Sequence, residues 1–427
     1  MLIEFSVANF KSLRDRQTLS LVKAKGNELE EFNTFNVSAY TDFNLLRSAA
    51  IYGPNASGKS NFIFALAVMK NIIDNSAKEL GHDDDLPVKP FLLNRENIKA
   101  PCEFEVTFII DHVRYQYGFS ATDKQIYEEW LLAYPKGRTQ TWFARNWSNE
   151  ESNYVWQSSS SLKGEKQLWQ KSTRKNALFL STAVQLNSEQ LRPIYDWFNK
   201  SLRIANYSGW GPGYSASLCK TERKEDVMDF LHAADLNISD VLVEEAPFDA
   251  AELPEGMPRS VREAIVNEME GKQILDIKTA HKTQNGDSVF FDFEEESMGT
   301  QKLFSFAGPW LDSLTNGYVL FIDELHNSLH PLLVKFLIEL FHNEDSNPNN
   351  AQLVFTTHET SILNQDKFRR DQIWFCEKDN DQASVLYPLS DFSPRKGREN
   401  LELAYLSGRY GALPITRTLE AIVDGDR

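Results

Sequence analysis

The sequence predicts an α/β fold: a phosphate-loop head with an antiparallel β subdomain and a helical insertion. Three patterns lead there. Gly53-Pro54-Asn55-Ala56-Ser57-Gly58-Lys59-Ser60 fills every fixed position of G-x-x-x-x-G-K-[ST] between a strand-like and a helix-like run. Residues 103–134 alternate apolar and polar positions as a meander does. Beyond Phe290 strands alternate with helices, the mark of a parallel sheet under covering helices.

From the N-terminus, Leu2 to Leu21 reads as paired strands. Leu45-Leu46 and Ser48 to Tyr52 read as a short buried strand feeding the glycine-rich loop. From Asn61 to Leu80, Phe62, Ile63, Leu66, Met69 and Ile73 recur at helical spacing. Gly81 to Pro87 is an acidic loop carrying Asp83-Asp84-Asp85. In the meander, Phe104, Val106 and Phe108 share one face, a turn falls near Asp111-His112, and Val113, Tyr115, Tyr117 and Phe119 return. Asn146 to Gly164 is Ser-rich and reads as a mobile surface segment. Gln167 to Leu275 reads as helical, with Pro258 opening one helix and Gly271 closing it. No heptads persist there, so long coiled-coil arms are not expected. Tyr318 to Ile322, Gln352 to Thr356 and Gln372 to Glu377 read as strands, and Leu332 to Phe341 as a helix. The expected division is 1–145 and 286–427 for the two parts of the head, and 146–285 for a mostly helical insertion.

At 427 residues and 41% hydrophobic, the chain can bury one large core or two moderate ones, and no run approaches the roughly 18 apolar residues of a membrane span. The start, Met1 to Val7, alternates like a strand and lacks a basic n-region, so a cytoplasmic protein without a membrane partner is expected. Cys102, Cys219 and Cys376 are scattered and without metal-ligand spacing, as free thiols are. A net charge of −16 argues against a surface that grips nucleic acid throughout, while leaving room for a local basic patch. Lys163, Lys166, Lys171, Arg174 and Lys175, and Arg395, Lys396 and Arg398, read as solvated faces.

The chemistry begins at the loop. Glycines at tight turns let successive backbone N–H groups point at phosphate oxygens, and the next helix adds its positive end. Gly53 through Asn61 thus form a nucleoside triphosphate site, with Lys59 reaching the β- and γ-phosphates and Ser60 a magnesium ion. The apolar strand Tyr318 to Ile322 ends in Asp323-Glu324. Asp323 is placed to hold magnesium through water. Glu324 is placed to orient and deprotonate the water that attacks the γ-phosphate.

Glu294 to Lys302 lies before that strand, and Phe355-Thr356-Thr357-His358 after it. The set resembles ABC-type ATPases of the SMC, RecF and OLD class, where phosphate loop, signature motif, Asp-Glu strand and switch histidine follow in this order. The resemblance implies ATP and Mg2+ as cofactors, with His358 as the switch histidine. It also implies that Ser297-Met298-Gly299-Thr300 is a variant signature, whose Ser297 and Gly299 N–H groups close over the γ-phosphate of a nucleotide held by a second protomer. The motif departs from L-S-G-G-Q at its first, third and last positions. Leu329-His330-Pro331 is similar to the turn that faces the partner's active site in the RecF and OLD group. The glutamine loop toward magnesium finds no assignment, Gln116 and Gln125 lying in or just after the meander. Asn9, Phe10, Lys11 and Ser12 are candidates to flank base and ribose, Lys11 and Ser12 foremost.

Met1 to Ser12, Phe179-Leu180-Ser181 and Tyr405-Leu406-Ser407-Gly408-Arg409-Tyr410-Gly411-Ala412-Leu413-Pro414 bring the resemblance closer to prokaryotic ATPases of phage-defence and restriction loci, the RloA type and AriA relatives. It implies an ATP-dependent homodimer or higher homo-oligomer. About 70 residues follow His358, room for a last strand and helix rather than a nuclease domain, so a sensor or scaffold controlling a separate nuclease or toxin is expected. The alternative is a RecF-like ATPase that clamps DNA. A GTP switch is disfavoured because Cys376-Glu377-Lys378-Asp379-Asn380 does not match N-K-x-D.

Overall fold

Alternating apolar residues commit the 102–134 segment to strands, whose partners are mostly sequence neighbours. The computed structural model describes residues 1–38, 42–79, 81, 84–205, 209–253, 256–269, 273–395, 397 and 399–414. They fall into two units. One comprises Met1–Ser208, Ser313–Asn327 and Val334–Arg427, the other Gly209–Asp312 and Ser328–Leu333.

The first unit contains two sheets. An antiparallel sheet runs in the order Asn153–Ser158, Gln140–Ser148, Ile126–Tyr134, Val113–Ala121, Cys102–Ile110, Leu2–Ala8, Gln17–Ser20. Phe104, Val106, Phe108, Tyr117 and Phe119 point from it into the core, each burial contributing about 1.5–3 kcal/mol. The second sheet runs Leu202–Ala205, Val319–Ile322, Gln352–Thr356, Ser48–Tyr52, Ile373–Lys378, Ser384–Pro388, parallel except for its last strand. Its central strands are buried throughout, as a parallel sheet covered on both faces requires. The helix Lys59–Asn75 packs against this core through Phe62, Ile63, Leu66, Met69 and Ile73, with the Phe62 ring 5.0 Å from that of Phe5.

Val319–Ile322, Gln352–Thr356 and Ser48–Tyr52 are adjacent and parallel, with Ile322 opposite Phe355 and Thr356 opposite Ile51. Their C-terminal ends therefore bring Asp323-Glu324, Thr357-His358 and Gly53 to one edge, where ligands bind in open α/β sheets.

The second unit holds an antiparallel sheet of Asp240–Pro247, Gln273–Lys282 and Ser288–Asp292 with the helices Gly213–Cys219, Lys224–Ala233 and Arg259–Met269. The first part of the helix Met298–Asn316 belongs to it.

The segment 146–285 is not the mostly helical insertion that apolar spacing suggests. Within it, Asn153–Ser158 is an edge strand rather than a mobile segment, and Leu202–Ala205 enters the parallel sheet. Asp240–Pro247 and Gln273–Lys282 pair over eight residues. The reason is that Val241, Val243, Ile274 and Ile277 favour a pleated surface once a distant strand supplies hydrogen bonds. Leu45-Leu46 likewise ends a separate strand, Asp42–Leu46, paired with Thr34–Ser38. The helix after Pro258 spans Arg259–Met269, and Gly271, Asp83, Lys396 and Arg398 lie outside the described residues. All three cysteines are free and buried. No helix of the described residues is long and apolar enough to cross a membrane.

Candidate nucleotide site

The loop leaves the central strand at Gly53, whose φ of 152° and close approach to Cys376 exclude a side chain: an added Cβ would lie 2.1 Å from the Cys376 carbonyl oxygen. Gly58 caps the next helix from the left-handed region. Between them Ser57 N–H donates to Pro54 O at 3.2 Å, and the buried Ser57 hydroxyl has no hydrogen-bond partner among the described residues. Lys59 is 4% exposed. Its ammonium donates to the carbonyls of Gly53 (2.9 Å) and Pro54 (3.1 Å) and lies 3.2 Å from His358 Nε2. Burial lowers its pKa, opposed by Glu324.

The facing carboxylates are fixed by one threonine. Thr356 Oγ1 donates to Asp323 Oδ1 at 2.6 Å and accepts from Glu324 N–H at 2.8 Å. Asp323 is buried. Glu324 takes a left-handed φ of 55° and lies 3.3 Å from His358 Nε2 and 3.4 Å from His326 Nε2. The His358 hydrogen bond holds the Glu324 carboxyl below the usual carboxylate range against the opposing effect of burial, with His326 and Lys59 adding to it. His358 Nε2 thus faces an ammonium and a carboxylate, and can accept from Lys59 or donate to Glu324 but not both. A triphosphate entering the loop would give Lys59 new acceptors and free that nitrogen.

Ser60 and Asp323 offer a hydroxyl and a carboxylate, the hard oxygen donors magnesium takes. Among the described residues no three His, Cys, Asp or Glu side chains converge to hold a metal alone. Such a donor set suits magnesium, which is usually shared between one or two carboxylates, substrate phosphates and water.

On the helix side of the loop, Asn61 Nδ2 donates to Ser12 Oγ at 2.8 Å, and Ser384 Oγ donates to Ser57 O at 2.5 Å and lies 2.8 Å from Ser12 Oγ. Lys11 has φ 49°, and its ammonium lies 3.9 Å from the Phe64 ring centre. Asn9 instead ties down the 91–101 segment through Phe91 N, Asn97 O and Ala100 O, and Phe10 is buried.

In the second unit, Ser297 caps the helix Met298–Asn316: its hydroxyl accepts from Thr300 N at 3.2 Å and meets Thr300 Oγ1 at 2.9 Å. A Cβ on Gly299 would lie 3.0 Å from Ser328 O, so signature and the turn toward Leu329-His330-Pro331 pack side by side. Met298 is 73% and Leu332 67% exposed. Gln116 bonds Glu105 and Tyr134 within the meander.

The structure thus gathers Gly53 to Asn61, Ser12, Asp323, Glu324 and His358 within one unit, and Ser297, Gly299 and Thr300 within the other. Reasoning from sequence missed Thr356, Ser384 and His326. Thr356 ends a strand just before His358, a position that could have flagged it; Ser384 comes from a distant strand and carries no local signal.

A family model described as AAA domain, putative AbiEii toxin, Type IV TA system matches residues 48–364. No curated protein matches the chain. Among solved structures, the SMC head domain from Thermotoga maritima is 11% identical, with 91% of this chain and 98% of that chain covered at a TM-score of 0.39. An Smc head bound to the C-winged helix domain of ScpA is 11% identical over 91% of this chain and 97% of that one, at 0.40. An Smc head with an extended coiled coil, bound to the C-terminal domain of ScpA derived from Pyrococcus furiosus, is 13% identical over 91% and 96%, also at 0.40. Overlaps this low carry no functional weight. The family match, by contrast, takes in well over half of the chain, from the strand before the phosphate loop to beyond His358, and the chain belongs to the AAA-domain family of putative AbiEii toxins of type IV toxin–antitoxin systems.

Proposed function

We propose that this chain is an ATPase whose hydrolysis is carried out by Lys59, Glu324 and His358, and whose ATP-bound form is a homodimer that controls a separate effector. The observation that carries the reading is the cluster in which the Glu324 carboxylate lies 3.3 Å from His358 Nε2, its N–H is held by Thr356, and the same histidine nitrogen meets the Lys59 ammonium. Backbone N–H groups of Gly53 and of Asn55 to Ser60 bind the phosphates. Lys59 exchanges its carbonyl partners for phosphate oxygens. Glu324 takes the proton of the attacking water, and His358, released from Lys59, donates toward the terminal phosphate. Magnesium bound at Ser60 and Asp323 would offset charge on the phosphates.

Ser297, Gly299 and Thr300 act on the nucleotide of the partner copy. The exposed cap at Ser297 and the exposed Met298 and Leu332 support a face free to dock. Mixing Lys59→Ala with Ser297→Arg tests this. Each variant alone is expected to be inactive; together roughly a quarter of wild-type turnover should return, because half of the dimers are mixed and hold one intact site. No recovery would show that each chain completes its own centre.

The resemblance to defence-locus ATPases supports a separate effector of nuclease or toxin type, and the family description sets the chain in a toxin–antitoxin context. Degradation of DNA or RNA by the purified chain alone would refute a separate effector.

A further inference from the structure

The segment Tyr405 to Pro414 supplies none of the residues assigned a role above, yet it is tied down at every turn. The Tyr405 and Tyr410 rings stack on Phe375 at 5.3 and 5.6 Å, and Tyr405 meets the edge of Tyr52, the residue before Gly53, at 5.9 Å. Tyr405 Oη donates to Ala412 O (2.9 Å), Tyr387 Oη to Tyr410 O (2.9 Å) and Tyr410 Oη to Glu399 (2.6 Å). Ala412 N–H donates to Glu377 Oε2 at 2.7 Å. At Gly411 the φ of 68° favours glycine: a Cβ there would be strained and would lie 2.8 Å from both Glu377 Oε2 and Tyr387 Oη.

These bonds deliver Leu413 and Pro414 to a cavity of about 800 Å³ that Pro54, Asn55, His358, Glu377 and Lys378 also line. Through His358 the cavity adjoins the Lys59–His358–Glu324 cluster, whereas Ser12 and Asn61 lie on the helix side of the loop. The clip therefore faces the end of the site where a terminal phosphate belongs. An apolar wall there displaces water, which strengthens the hydrogen bonds and charges acting on that phosphate.

We propose that the Tyr405–Pro414 clip is a positioning element that selects triphosphate over diphosphate, by holding Leu413 and Pro414 in the cavity that Pro54, Asn55 and His358 also line. It rests on the reading of the site as an ATP site. Calorimetric titration of the full chain with ADP and with a non-hydrolysable ATP analogue tests it. Glu377→Ala, which frees Ala412 N–H, should weaken the triphosphate analogue about tenfold while changing ADP less than about twofold, the scale of one lost hydrogen bond at a site only the triphosphate feels. Glu377→Gln, which keeps an acceptor for Ala412, should restore the wild-type ratio. Leu413→Ser, on the cavity wall, should lower the same ratio and carries the test if Glu377→Ala does not fold. Equal losses for both nucleotides, or no change, would overturn the clip's role alone. A wild-type chain that binds neither nucleotide would overturn the ATP reading and this inference with it.

Discussion

Glu324 occupies the left-handed region, where a non-glycine residue is uncommon, and its N–H and carboxylate are both engaged. Such placement is costly unless the surroundings enforce it. Glu324→Gln is expected to retain ATP and hydrolyse it about 10²–10⁴-fold more slowly, read by single-turnover kinetics. Lys59→Ala is expected to lose ATP affinity in equilibrium titration. A pH profile separates the histidine's part. If Glu324 is the proposed base it must be deprotonated, and His358 holds its pKa down, so activity is expected to persist to lower pH than an ordinary glutamate would permit. His358→Ala should move the acid limb of kcat/KM upward; an unmoved limb would remove Glu324 as the titrating base. At this scale the sequence was legible: Gly53 to Ser60, Asp323 and Glu324 are named by local pattern, while Thr356 needed the neighbouring strand.

The Phe179–Gln185 helix shows what pattern could not supply. Phe179-Leu180-Ser181 stands out in the sequence, but its anchor lies in the meander. Glu129 accepts from Phe179 N (2.7 Å), Leu180 N (3.0 Å) and Tyr117 Oη (3.0 Å), and pairs with Arg145 at 2.9 Å, both charges fully buried. Ser181 Oγ then donates to Ile73 O at the far end of the phosphate-loop helix. A carboxylate at a helix N-terminus satisfies N–H groups that would otherwise be orphaned. Glu129→Gln leaves Arg145 buried without its counter-charge and is expected to lose about 3–5 kcal/mol in urea unfolding. A loss below about 1 kcal/mol would mean the pair is dispensable. In sequence Glu129 is one more glutamate on an alternating strand; only its tertiary partners, Arg145 on the next strand and the N–H groups of Phe179 and Leu180, give it a role.

Over the whole molecule, stability carries its own pH signature. His342 is buried, its Nε2 lies 2.8 Å from Ser48 Oγ, and burial, aided by Arg47 and Lys367, pushes its pKa down to about 3. The unfolded chain therefore binds a proton that the folded chain refuses between about pH 6.5 and pH 3. This stabilisation is complete above pH 6.5 and is lost as pH falls toward 3, with a slope of up to about 1.4 kcal/mol per pH unit. His342→Gln should flatten that limb of the urea-midpoint profile. Assembly is the second whole-molecule property. Glu324→Gln with ATP should double in mass by light scattering and return to monomer with ADP; a monomer in both states would exclude ATP-dependent pairing.

Local sequence determined the phosphate loop, the acidic strand end and the alternation of strands and helices around them, because each is written in neighbouring residues at the period of one element. Tertiary structure alone decided which strands of the 146–285 segment join which sheet, how Thr356 links two carboxylate-bearing residues, and where the 405–414 segment comes to rest. Those outcomes depend on hydrogen bonds between residues far apart in the chain, whose partners no local pattern names.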